Sequence, residues 1–380
     1  MKGGGLAAFR QNAIDCAMTV YQIITRYDNP CHPLLAGCRN IGGRSVALLR
    51  AMTLLLALGT LGGCAASSSH AQEAHAAVPP KEGMQTISVE PLNSTEPMEP
   101  ALVRYDEGWN HLVEKLVADG FDRTYVESLF GRVENPYSAG PMGHKMRALF
   151  TTKFAPRKQE PKKTKKAPAP AIYSGVLVPE NMRRARTFLE THSDSLRAME
   201  KRFGVPKEIA VGLMLVETRL GNYLGKEQAF RNLACLAASD TLESVRPHLS
   251  GLQITSDRAK WLSKRIGDKS TWAYDELKAL ITYSSKSGLD PVTMPGSIYG
   301  AVGICQFMPS NILRFGVDGD GDGTVNLFHA SDAMHSLANY LKYHGWKPGL
   351  SREKQNRVLR HYNNSATYAN TILAVADALR

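Results

Sequence analysis

Residues Lys207–Leu220 are apolar on every side of a helical wheel: Ile209, Ala210, Val211, Leu213, Met214, Leu215 and Val216 leave no polar face. A helix of this kind is stable only when other elements surround it, so it demands a central position and a shell of neighbours. Gly204-Val205-Pro206 marks its start, proline being suited to a first helical turn. Further helical patterns begin near Tyr105, with Trp109, Leu112, Val113, Leu116 and Val117 on one face, and run over Pro179–Phe203, Leu277–Ser287, Ser331–His344 and Thr367–Leu379. Few stretches alternate with period two, and no internal repeat is visible. The class is mainly α.

A chain of 380 residues with 43% hydrophobic and 21% charged residues can bury a sizeable core. Wholesale disorder, collagen and a polytopic membrane protein are excluded. The net charge of +11 points to an acidic partner, but its location argues against nucleic acid. Six basic residues sit in residues 1–63 against Asp15 and Asp28, and six more crowd Arg157–Lys166 around Glu160. The excess is a matter of tails and loops, so no nucleic-acid face is expected.

Arg44 and Arg50 precede an apolar run, Ala51–Gly63, that ends in Leu61-Gly62-Gly63-Cys64. A basic flank, a dozen apolar residues and small residues before a cut are the layout of a secretory signal, too short to span a bilayer. The tetrapeptide resembles a bacterial lipobox, which makes Cys64 the lipidation site and the chain a lipoprotein on the periplasmic face of the outer membrane. Residues 1–63 then read as leader, with a start placed too far upstream. Residues 64–100 read as the lipidated cysteine and a flexible Ser/Ala/Pro/Glu tether. An N-terminal helical domain is expected over 101–204, interrupted by a basic Pro/Lys loop at 156–170, and a catalytic core over 205–380. Only Cys235 and Cys305 lie beyond Cys64, too few for a disulfide framework.

Glu217 stands near the C-terminal end of the apolar helix. Partial burial and the negative end of the helix dipole both disfavour its charge, as a general acid at neutral pH requires. A carboxylate paired with Arg219 fits the same segment. The second feature is Gly296–Ser310 (GSIYGAVGICQFMPS). Glycines at 296, 300 and 303 permit close backbone approach, while Ser297, Gln306 and Ser310 are neutral hydrogen-bonding groups of the sort that read sugar hydroxyls and acetamides. A Gly-rich turn into a helix would look the same. Third, Asp318, Asp320 and Asp322 hold positions 1, 3 and 5 of an EF-hand pattern, Gly323 supplies the turn at position 6, and Thr324 would give its carbonyl. His329 occupies position 12, where a standard loop has a bidentate Glu. Calcium is the ion such oxygens favour, although sodium or an ion-free Asp-Gly turn remains open.

Together, VPKEIAVGLMLVETRLGNYLG (205–225), GLDPVTMPGSIYGAVGICQFMPS (288–310), DGDGDGTVNLFHASDA (318–333), NYLKYHGW (339–346) and HYNNSATYA (361–369) resemble, in order, the motifs of the membrane-bound lytic murein transglycosylase B family. The resemblance covers roughly residues 105–380. It implies a goose-type lysozyme-like helical core with an accessory helical domain and an EF-hand-like loop at 318–332, closed by Asp332. It implies that Glu217, as single general acid/base, cleaves the MurNAc-GlcNAc β-1,4 bond of peptidoglycan glycan strands, leaves a 1,6-anhydromuramyl product and consumes no water. By position Ser297, Gln306, Tyr362 and Asn363 match the residues that hold the sugar. No organic cofactor is implied, calcium would be structural, and a monomer is expected. Two departures bear on glycan contacts: Leu220 replaces a common Tyr, and Leu236–Val245 lacks the usual aromatics. The competing functions are a lysozyme-type muramidase that admits water, and a catalytically silent peptidoglycan-binding lipoprotein.

Overall fold

Asp106 starts the described part of the fold by accepting a hydrogen bond from the Gly108 amide, which opens a 3₁₀ turn over Glu107–Trp109. The computed structural model describes residues 105–154 and 171–380. The leader, Cys64, the tether and the loop expected at 156–170 lie outside them. The turn runs into α1 (Asn110–Ala118), followed by α2 (Arg123–Gly131), which Asp122 caps through the Tyr125 amide, and α3 (Gly140–Phe154). Trp109 and Phe130 pack together with Phe230, so this first group of helices sits on the later part of the chain through aromatic contacts.

The pattern over Pro179–Phe203 is two helices, α4 (Pro179–Thr191) and α5 (Ser193–Phe203). His192 separates them at φ −108°, ψ 25°, with its ring 4.3 Å from that of Phe188. Thr191, His192 and Ser193 are weak helix formers, and Ser and Thr compete for backbone hydrogen bonds, so the break falls among them. The all-apolar segment is α6 (Lys207–Thr218), buried along nearly its whole length. It is surrounded by α4, α5 and two later helices, α11 (Ala330–Tyr343) and α13 (Ala366–Leu379). Gly212 permits the close approach of α13, since a Cβ there would lie 3.1 Å from the Ile372 carbonyl oxygen.

Between α6 and α11 lie α7 (Ala229–Ala238), α8 (Leu242–Val245), α9 (Ser256–Ser287) and α10 (Pro309–Phe315); α12 (Arg352–Tyr362) precedes α13. Helix α9 is three times the length that Leu277–Ser287 implied. Its earlier half is polar outside, but Leu262, Ile266, Ser270, Ala273 and Leu277 mark one buried stripe at helical spacing. Two short strands, β1 (Glu227–Gln228) and β2 (Pro295–Gly296), pair antiparallel. Among the described residues no helix is long and apolar enough to cross a membrane.

The segment after β2 folds back on itself through bridges from Gly296 to Val302 and from Val302 to Phe307. Gly300 turns it at φ +86°, and a Cβ there would meet Leu233 of α7 at 2.4 Å. Gly300→Ala therefore combines a disfavoured backbone with overpacking and is expected to cost about 2–4 kcal/mol. Urea unfolding of the two proteins measures it, and a loss below about 1 kcal/mol would contradict this packing.

Candidate active site

Helix α6 ends because Arg219 and Leu220 both adopt left-handed backbone, at φ +53° and +61°. Neither is glycine, so the turn stores strain of the kind that persists only where surrounding contacts enforce it. The enforcing contact is Thr218, which is 1% exposed. Its hydroxyl donates to the Ile304 carbonyl at 2.7 Å and accepts from the Gly221 amide at 3.0 Å. The helix end and the Gly-rich segment are thereby tied together one residue from Glu217.

Glu217 is half-buried, and the Tyr368 hydroxyl donates to its Oε1 at 2.6 Å. Tyr368 is fully buried in the first turn of α13, where Ser365 caps the helix by accepting from the Tyr368 amide at 3.2 Å. Six residues before Tyr368 stands the end of α12. There Tyr362 stacks on Tyr368 with rings 9° from parallel and donates its hydroxyl to the Cys305 carbonyl. The segment 361–369 is thus a helix–helix corner that grips the Glu217 carboxylate with one tyrosine and the Gly-rich segment with the other.

The residues expected to hold a sugar come together around that segment. Ser297 is buried; its hydroxyl oxygen accepts from the Tyr299 and Ala301 amides at 3.3 and 3.0 Å and so ties off the turn. Gln306 also has left-handed backbone, at φ +52°, and its amide nitrogen donates to the Gly303 and Leu224 carbonyls at 3.2 and 3.4 Å. Asn363 is buried as the C-terminal cap of α12. Ser310 is drawn elsewhere: its amide and hydroxyl both donate to Glu276 of α9, at 2.9 and 2.8 Å. Glu276 is buried and serves as the N-terminal anchor of α10, and burial pushes its carboxyl above the usual range.

In the acidic loop, carboxylate oxygens of Asp318, Asp320 and Asp332 lie within 4.8 Å of one another, as do ligand atoms of Asp320, Asp322 and His329. A calcium ion with oxygens at about 2.3–2.6 Å spans such a set. Asp332 is fully buried and accepts from the Gly319 and Asn326 amides at 2.8 and 2.6 Å, while burial raises its carboxyl. Asp318 accepts from the Gly323 and Gly321 amides, and the Gly323 bond in particular holds its carboxyl low. Asp322 takes the Thr324 amide and hydroxyl. His329 at position 12 stands 3.9 Å from Asp320.

Sequence reading passed over Thr218, Glu276 and Tyr368. For Tyr368 the sequence marks only the helix start, through Ser365 three residues earlier, since its partner Glu217 is 151 residues away. Thr218 and Glu276 carried no signal, because their partners are 86 and 34 residues away.

The transglycosylase SLT domain family matches residues 104–355. The chain is 34% identical over 173 residues to membrane-bound lytic murein transglycosylase B of Escherichia coli K12, an alignment covering 46% of this chain and 41% of that relative's length. It also resembles the E. coli lytic transglycosylase Slt35 in complex with bulgecin A, with a TM-score of 0.52 at 21% identity over 72% of this chain and 93% of that one. Pseudomonas aeruginosa SltB3 in complex with NAG-anhNAM-pentapeptide gives a TM-score of 0.53 at 20% identity over 73% and 80%. At these identities the likeness to the two structures is one of fold.

Burial of Glu276 makes the native state bind its proton more tightly than the unfolded chain does. Its contribution is therefore full below the unfolded carboxyl pKa and declines as pH rises through the folded one. Between about pH 4 and pH 8 the wild-type chain is expected to lose more stability than Glu276→Gln, which keeps the acceptor oxygen. Urea unfolding at both pH values reads the difference, and equal losses would show that Glu276 titrates alike folded and unfolded.

Proposed function

The chain belongs to the transglycosylase SLT domain family, and on that premise we propose that it is a lytic murein transglycosylase with Glu217 as its single general acid/base. The observation that carries this reading is the setting of Glu217: a half-buried carboxylate on the last turn of an otherwise apolar helix, held by the Tyr368 hydroxyl at 2.6 Å. The carboxyl protonates the bridging oxygen as the bond from muramyl C1 to that oxygen breaks, and the substrate's acetamide supports the developing positive charge. The resulting carboxylate then takes the proton of the muramyl 6-hydroxyl while O6 bonds to C1. Atoms balance without water, and the acid is regenerated. Ser297, Gln306, Tyr362 and Asn363 hold the sugar in this reading, with the turn that Ser297 and Gln306 stitch as its support. The substrate class is supported by SltB3, whose structure contains a peptidoglycan fragment.

Placement in the cell envelope agrees with the E. coli relative, which is membrane-bound. Attachment through a lipid on Cys64 of the lipobox-like tetrapeptide is the finer proposal. The acidic loop is proposed to hold a structural calcium ion through Asp318, Asp320 and Asp332, with Asp322 and Thr324 completing it. Three carboxylates this close repel one another, so an ion among them favours the folded state.

Two outcomes follow. Glu217→Gln is expected to lower release of 1,6-anhydromuropeptides from purified sacculi by at least ~10²-fold with the fold intact. Mass spectrometry of the products separates this reaction from hydrolysis, whose products are heavier by one water, and a variant with more than about a tenth of wild-type turnover would remove Glu217 from its role. Calcium at a hundredfold excess over Kd should add about 2.7 kcal/mol to stability, lost on chelation and absent in Asp318→Ala. A melting temperature indifferent to calcium would rule the metal out.

A further inference from the structure

Lys145, on α3, is only 2% exposed. Burying an ammonium group is costly unless other groups replace its water, and the faces of aromatic rings do so in part. Its Nζ stands 4.3 Å from the ring centroid of Tyr299 and 5.6 Å from that of Trp272 on α9. Tyr299 is fully buried and belongs to the Gly-rich segment, in the turn between Ser297 and Gly300. The residue before Lys145 meets the same side chain at its tip, with His144 Nδ1 and the Tyr299 hydroxyl 2.9 Å apart. Burial first, and then the charges of Lys145 and Arg147, hold the His144 imidazole toward its neutral form, so Nδ1 is able to accept from that hydroxyl. Two consecutive side chains of one helix thus grip one ring, His144 at the hydroxyl and Lys145 over the face.

Helix α3 has independent support. Arg147 Nη2 donates to the His248 and Ser250 carbonyls, each at 2.9 Å. Gly143 lets the helix lie against His248, because a Cβ there would be 2.2 Å from the His248 Cβ. The ring carries this rigidity into the turn. The Tyr299 and Ala301 amides donate to the Ser297 hydroxyl oxygen at 3.3 and 3.0 Å, and the Gly300 amide donates to the Ser297 carbonyl at 2.9 Å. The hydroxyl oxygen accepts twice, so the hydrogen-bonding capacity left to Ser297 is its own proton, whose direction depends on how those two amides are held.

We infer that Lys145 is a positioning residue: acting through the Tyr299 ring, it fixes the turn that presents Ser297 and so raises the affinity of the site for glycan. The inference rests on the transglycosylase reading for its ligand, whereas the grip on Tyr299 does not. A cation that only filled space would stabilise the whole fold; one that positions the turn governs the turn before the rest.

Native-state hydrogen exchange on the full chain carrying Glu217→Gln reads the turn directly. Adding Lys145→Met removes the charge at nearly constant length and should speed exchange of the Gly300 and Ala301 amides about tenfold, while the amides of α6 keep their rates. Tyr299→Phe, which loses the His144 bond and keeps the ring, should act in the same direction by a smaller factor, and Lys145→Arg should restore most of the protection. Calorimetric titration with a GlcNAc-MurNAc tetrasaccharide lacking peptide should show about tenfold weaker binding in Lys145→Met and recovery in Lys145→Arg. Equal acceleration in the turn and in α6 would mark Lys145 as a packing residue and overturn the inference, as would unchanged turn amides or unchanged tetrasaccharide affinity. Should Lys145→Met not fold, the same comparisons in Tyr299→Phe decide. Product release by the native chain stands apart. Anhydromuropeptides from sacculi alongside an undisturbed turn would sink the positioning role alone, whereas the exchange and affinity effects without such products would sink the reaction and keep Lys145 in its role.

Discussion

The hydrogen bond from the Thr218 hydroxyl to the Ile304 carbonyl joins the end of the central helix to the Gly-rich segment, and the geometry around Glu217 depends on it. A buried hydroxyl left without a partner would cost about 1–3 kcal/mol, so the pairing also selects one register between two segments far apart in sequence. Tyr362 to Cys305 and Tyr368 to Glu217 close the arrangement from a third direction. Three segments that share no local structure are thus held by side-chain bonds to backbone or carboxylate. The non-glycine residues with left-handed backbone among those described, Arg219, Leu220 and Gln306, all lie in two of these segments. Strain of this sort is tolerated where neighbouring contacts over-determine the chain.

The acidic loop is physically continuous with that lock. Asp332 holds the Asn326 amide, Leu327 follows fully buried, and the Leu327 carbonyl accepts from the Ile304 amide at 2.8 Å. Gly303 permits the approach, since a Cβ there would lie 2.5 Å from the Leu327 side chain. Ile304 therefore receives support from the loop on its amide and from Thr218 on its carbonyl. Order in the loop thus bears on where Glu217 sits, through Ile304 and Thr218.

Glu276 shows how a polar residue can be chemically conspicuous and still belong to the scaffold. Its carboxylate is buried and receives two bonds from Ser310, which places it at the positive end of α10. The hydroxyl of Ser310, one of the neutral groups that the sequence suggested for reading a sugar, is consumed there. Ser297 is similar, because its oxygen closes the turn that Gly300 begins. Hydrogen-bonding capacity in a motif is shared between holding a ligand and holding the motif.

The helical class and the central place of α6 were legible in the sequence because a helix without a polar face has only one kind of environment that can stabilise it. Glu217 stood out for the same reason, as a carboxylate interrupting an apolar run, and the alternate aspartates of the acidic loop because that spacing is the one a metal's oxygen cage would need. Helix α9 was half hidden, since its exposed polar face outweighs a narrow buried stripe, and the break at His192 was masked by apolar spacing that continues across it. Only the tertiary structure could pair Thr218 with Ile304, Tyr368 with Glu217 and Ser310 with Glu276, or set His144 and Lys145 against Tyr299. Periodicity and spacing record what a residue's own element requires, whereas these contacts arise when separate elements pack and their polar groups, removed from water, must find partners in one another.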